Sequence, residues 1–194
     1  MKWNRNRPIG LFLAGLILAA TGPPPGQATA SPAESLTDSQ KREKVYAMYA
    51  GYRENFPDVA DISPAEAMAL HQEGKVVFVD TRTPEERAVS TLPEAVSAET
   101  FRENPNRFSD RTIVAYCTIS YRSGLFAREM AQRDPPIRNL RGGMLAWALE
   151  GGKLYRDGEE TRRMHVYGKK WDYPPEGYES VRFTQWQIWM KSRQ

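Results

Sequence analysis

Thr112-Ile113-Val114-Ala115-Tyr116-Cys117-Thr118-Ile119-Ser120-Tyr121-Arg122-Ser123-Gly124 is the stretch that decides the fold. Its first five residues form a continuous apolar run, as in a strand covered on both faces of a parallel sheet. From Ser123 the chain continues Gly124-Leu125-Phe126-Ala127-Arg128-Glu129-Met130, which reads as a helix. A cysteine thus stands at the C-terminal end of a strand, in a short loop that leads into a helix. Open α/β folds place their ligand sites at that end of the sheet. Backbone N–H groups converge in so short a loop, and a helix N-terminus adds positive potential. Both effects favour a thiolate, the nucleophilic form of cysteine. Arg122 adds a forked cation suited to an anionic substrate or leaving group.

Moving outward, Val76-Val77-Phe78-Val79 is a second run of the same kind, ending in Asp80-Thr81-Arg82. Pro84-Glu85-Glu86 can open a short helix. Ser63-Pro64-Ala65-Glu66 carries a helix start, with Ser at the cap and Pro in the first turn. Ser97 can cap another brief helix, and Ile137 to Leu140 is a short third strand. Gly142-Gly143 opens a helix from Met144 to Glu150. Upstream, Asp38 can cap a helix carrying Val45, Met48, Tyr49, Tyr52 and Phe56, stopped by Pro57. Strands alternating with helices predict an α/β domain with a parallel sheet flanked by helices.

Between about Asp61 and Lys153 the chain resembles the rhodanese-like (sulfurtransferase) family. Val77 to Arg82 looks like the family's apolar strand with a terminal D-x-R. Cys117 to Ser123 looks like its loop, C-x-x-G-x-R-S, and Asn139 to Trp147 like its closing G-G-x-x-x-W segment. The resemblance implies a five-stranded parallel sheet and a catalytic Cys117. It further implies that Arg122 and the loop amides of Thr118, Ile119, Ser120, Tyr121 and Ser123 bind an anion. The expected reaction is transfer of sulfane sulfur from an anionic donor such as thiosulfate to a thiol or cyanide, through a Cys117 persulfide. Four residues separate Cys117 from Arg122, whereas cysteine phosphatases and arsenate reductases of related shape use five. The smaller cradle suits a sulfur atom better than a tetrahedral phosphate. Two departures stand out. Ser120 replaces a usual Gly, and Ser90-Thr91-Leu92-Pro93-Glu94-Ala95 replaces G-H-I-P-G-A.

Composition narrows the alternatives. The chain has 194 residues, 40% hydrophobic and 26% charged, which suits a single globular domain. Lys2, Arg5 and Arg7 account for its net charge of +3; beyond residue 30, basic and acidic residues balance at 24 each. That removes the electrostatic case for nucleic-acid binding. With one cysteine there is no internal disulfide. The two histidines, His71 and His165, are far apart and suggest no metal site, so neither a metal nor an organic cofactor is expected. His165 stands beside the tail aromatics, where an approach to the pocket is the alternative and a surface role the expectation. No Ser-His-Asp motif is present.

Residues 1–30 have the grammar of an export signal: a basic start, an apolar run from Ile9 to Ala20, then Ala28-Thr29-Ala30. That run is about a dozen residues, short of the ~20 that span a bilayer. The expectation is cleavage near Ala30 and a periplasmic protein without a stable membrane span; the alternative is an N-terminal anchor. Residues 31–60 then form a linker and first helix, 61–153 the rhodanese-like domain, and 154–194 a C-terminal extension rich in Trp and Tyr. Such aromatics are expected to pack on the domain. A second functional reading is a non-catalytic binding module that uses this aromatic tail to hold a protein partner.

Overall fold

The computed structural model describes residues 35–131 and 136–183. Residues 1–30, expected to be an export signal, and Trp186, Trp189 and Met190 of the tail lie outside the described residues.

Five strands form one sheet: β1 (Asp61–Ile62), β2 (Val76–Asp80), β3 (Val96–Ser97), β4 (Thr112–Tyr116) and β5 (Ile137–Leu140). Their order is β1-β5-β4-β2-β3 and every pairing is parallel. The central strands β2 and β4 are the two apolar runs, and their alternation feeds two cores. Val76 and Phe78 of β2, with Val114 and Tyr116 of β4, face one core; Val77, Val79, Ile113 and Ala115 face the other. Burial on both faces is why neither strand shows a polar alternation.

Helices cover both faces. On the first lie α2 (Pro64–Gln72) and α6 (Gly143–Leu149); on the second lie α4 (Ala98–Glu103) and α5 (Tyr121–Met130). The short α3 (Pro84–Arg87) follows β2. Helix α1 (Asp38–Arg53) gives Val45 to the first core and Tyr49 to the second. Its cap is Thr37 rather than Asp38: the Thr37 side chain accepts from the Gln40 N–H while the Gln40 side chain accepts from the Thr37 N–H. A threonine with Gln at the third helical position is a capping box, which a lone Asp does not match. Ser63 and Ser97 cap α2 and α4 as their positions predict, and Thr83 caps α3.

Beyond the sheet, β6 (Leu154–Arg156) and β7 (Glu159–Thr161) form a hairpin through Asp157 and Gly158, both at positive φ. Then β8 (Arg163–His165) pairs in parallel with β9 (Glu179–Val181). Leu154, Met164 and Val166 are fully buried in the first core, with Trp171, Tyr173 and Tyr178 packed against it. Among the described residues, no helix is long and apolar enough to cross a membrane.

Candidate active site

Cys117 directly follows β4 and is 2% exposed. The turn after it is built by Ser120, which takes φ 71° and ψ 5°, the left-handed region. That conformation swings the chain straight into α5, so the helix begins at Tyr121, two residues earlier than the sequence suggests. Arg122 and Ser123 therefore lie in the first helical turn rather than in the loop. Ser120 is held by three contacts. Its hydroxyl donates to the Leu140 carbonyl, and its own carbonyl accepts from Gly124 N–H (3.1 Å) and Asn139 Nδ2 (3.2 Å). The Ser123 hydroxyl donates to Asn139 Oδ1 at 2.7 Å, so one buried amide ties the loop and helix start to β5.

The other side of the loop rests on α6. Met144 N–H donates to the Cys117 carbonyl (2.9 Å) and Leu145 N–H to the Thr118 carbonyl (3.2 Å). A Cβ at Gly143 would lie 2.5 Å from the Cys117 carbonyl oxygen, so the G-G pair is required by the closeness of this approach. Trans peptide units set C=O and N–H on opposite sides. With the Cys117 and Thr118 carbonyls turned to α6, the Thr118 and Ile119 N–H groups turn away from it.

Arg122 is anchored by Glu86 of α3. Its Nη1 and Nη2 donate to Glu86 Oε2 and Oε1, both at 2.7 Å. Glu86 Oε2 also accepts from the Thr83 N–H (3.0 Å). His165 Nδ1 lies 3.0 Å from Oε1, at ion-pair distance but without the alignment of a hydrogen bond. Burial pushes the Glu86 carboxyl up, yet His165, Arg122 and the Thr83 amide hold it well below the usual carboxylate range. For Arg122, burial works against the cation, but Glu86 and the nearby Cys117 sulfur keep it charged.

A rhodanese-like domain model matches residues 63–150. A sulfurtransferase of Allochromatium vinosum is 40% identical over 81 residues, which span 39% of this chain and 75% of that protein. The chain belongs to the rhodanese-like family. Among solved structures, a rhodanese-like domain protein from Staphylococcus aureus is similar, at 29% identity over 51% of this chain and 99% of that one, TM-score 0.44. A thiosulfate sulfurtransferase from Pseudomonas aeruginosa is similar at 20% identity over 61% of this chain and 24% of that one, TM-score 0.47.

Within this rhodanese-like domain the predicted site residues divide by what they present. Ile119 turns its side chain into the first core, and the hydroxyls of Ser120 and Ser123 are engaged elsewhere. Only the backbone of these three is available to a ligand. The Thr118 hydroxyl is buried and has no hydrogen-bond partner among the described residues. Tyr121 is 38% exposed, its ring 5.3 Å from that of Tyr52. Asp80 and Arg82 form a fully buried pair behind the loop, joined by the Tyr116 hydroxyl and the Ser90 carbonyl. One residue escaped the sequence reading, and another was given the wrong preference. Glu86 carried only the signal of a helix start, and His165, expected on the surface, is 3% exposed. The rhodanese-like match ends at residue 150, so no motif marks the strand that brings His165 to the site.

Proposed function

We propose that the protein transfers sulfane sulfur through a persulfide on Cys117. The observation that carries this reading is the placement of the only thiol at the end of β4, beneath the start of α5, beside a guanidinium oriented by Glu86. The Cys117 thiolate attacks the outer sulfur of an anionic donor such as thiosulfate. The S–S bond of the donor breaks and sulfite leaves with its electron pair. Loop N–H groups and Arg122 stabilise the negative charge on donor, leaving group and persulfide. A thiol or cyanide then attacks the outer persulfide sulfur, and the Cys117 thiolate departs regenerated. Burial of Cys117 favours slim donors and acceptors over bulky ones.

Cyanolysis tests the reading. Purified protein is expected to form thiocyanate from thiosulfate and cyanide, and Cys117→Ser to form none above background; equal production by both overturns it. Intact mass reports the export step that residues 1–30 suggest: processing near Ala30 removes those residues, and the loaded enzyme carries an extra ~32 Da that cyanide strips off.

A further inference from the structure

We propose that His165 is a positioning residue whose protonation governs how firmly Glu86 retains Arg122, and so how strongly the Cys117 pocket attracts an anion. The inference rests on Cys117 being the reacting atom, as above, and names a control on that same site.

The geometry carries it. Glu86 Oε1 is shared: Arg122 Nη2 takes it at 2.7 Å, and His165 Nδ1 approaches it to 3.0 Å. Both the carboxylate and the imidazole are 3% exposed at the side chain, so water screens their interaction little. On its other face the His165 ring stacks on Phe183, with centroids 4.4 Å apart and planes 27° apart. The backbone of β8 is fixed by β9, and the neighbouring side chains Met164 and Val166 are fully buried. The ring is therefore wedged at the carboxylate, where swinging out to solvent is blocked. Among the described residues its buried Nδ1 makes no aligned hydrogen bond, although Glu86 Oε1 lies 3.0 Å away.

Among the described residues, the charged group that meets the ring is Glu86. From α3 it faces Glu86, and through that carboxylate Arg122 of α5. Arg82 also acts on Glu86 but is held by Asp80. On its own strand Arg163 pairs with Glu179 of β9, and beyond β9 Arg182 lies 3.9 Å from Asp172. A neutral imidazole leaves the carboxylate charge to Arg122. An imidazolium competes for Oε1, loosens the Arg122 fork and adds a second positive charge to the wall of the pocket. Acidification should therefore strengthen anion capture at Cys117.

The test reads the pocket without requiring turnover, so it stands apart from the sulfurtransferase question. Iodoacetate and iodoacetamide alkylate the same thiolate with loss of iodide, but only the first is an anion. The ratio of their rates cancels the ionisation of the thiol and reports the local field. Between pH 8 and pH 5.5 the wild-type ratio, iodoacetate over iodoacetamide, should rise roughly threefold, the effect of one added charge some way from the sulfur. It should stay flat in His165→Gln, which keeps a neutral donor near Glu86, and in His165→Phe. A flat ratio in the wild type, which needs no variant to fold, overturns the proposal. A rise that survives in a folded His165→Gln overturns it as well. If cyanolysis fails while the ratio behaves as expected, the sulfurtransferase reading falls and this one stands.

Discussion

Ser120 holds a left-handed backbone without being glycine, which costs roughly 1–2 kcal/mol. Its hydroxyl, donated to the Leu140 carbonyl inside the protein, offsets that cost. Ser120→Ala keeps the backbone cost and loses the bond, so it should lower stability by about 1–2 kcal/mol. Ser120→Gly loses the bond but relieves the backbone, and should cost less than the alanine variant. Chemical denaturation of the pair decides the point, and an alanine variant at least as stable as the glycine one would falsify the account. Glu86 gives a pH-dependent case. Its carboxyl is held below the ordinary value of 4.5, so its stabilisation is complete above that pH and is lost as pH falls through the acid range. Glu86→Gln should therefore cost about 2–4 kcal/mol at pH 7, Arg122 being partly exposed, and less at pH 3, part-way through that loss. Urea midpoints at the two pH values test this; an undiminished gap at pH 3 contradicts it.

At the scale of elements, α5 is fitted to the segment after α1 by the absence of a side chain. A Cβ at Gly124 would fall 2.4 Å from the Phe56 ring, which is itself fully buried. Gly124→Ala should destabilise by about 1–3 kcal/mol despite its helix-favouring residue, because the ring must move. A thermal midpoint equal to or above wild type would show the ring yields freely. The contrast between elements explains what the sequence disclosed. Strands β2 and β4 were legible because burial on both faces writes an unbroken apolar run, and α2 and α3 because their caps are local. The two-residue strands β1 and β3 have no signature of their own; pairing with β5 and β2 defines them. The hairpin β6–β7 turns on Asp157-Gly158, a recognisable turn pair whose flanking strands are too short and polar to draw attention. Both departures from the family's glycines were visible, but that Ser120 and Glu94 would keep the glycine-like positive φ was not. The Cys117 loop was thus readable from residues close in sequence, while the His165–Glu86 contact joins distant segments and left no local trace.

For the whole molecule, the segment beyond the family match belongs to the core rather than decorating it. Met164 is fully buried among residues of α1, α2 and α6. Met164→Ala should cost about 2–4 kcal/mol, the scale of a core truncation anywhere in the sheet. A loss below about 0.5 kcal/mol, typical of surface sites, would show the extension to be peripheral. The same wholeness is seen in how two helices grip the loop from opposite sides. One begins where the loop ends; the other spends its first free N–H groups on the loop's carbonyls at Cys117 and Thr118. A crankshaft rotation of either peptide plane, the simplest way for a loop to exchange donors for acceptors, would break a bond to that second helix. The cradle is barred from turning itself inside out, so the outward set of donors on which the proposed anion capture relies is in place before any guest arrives.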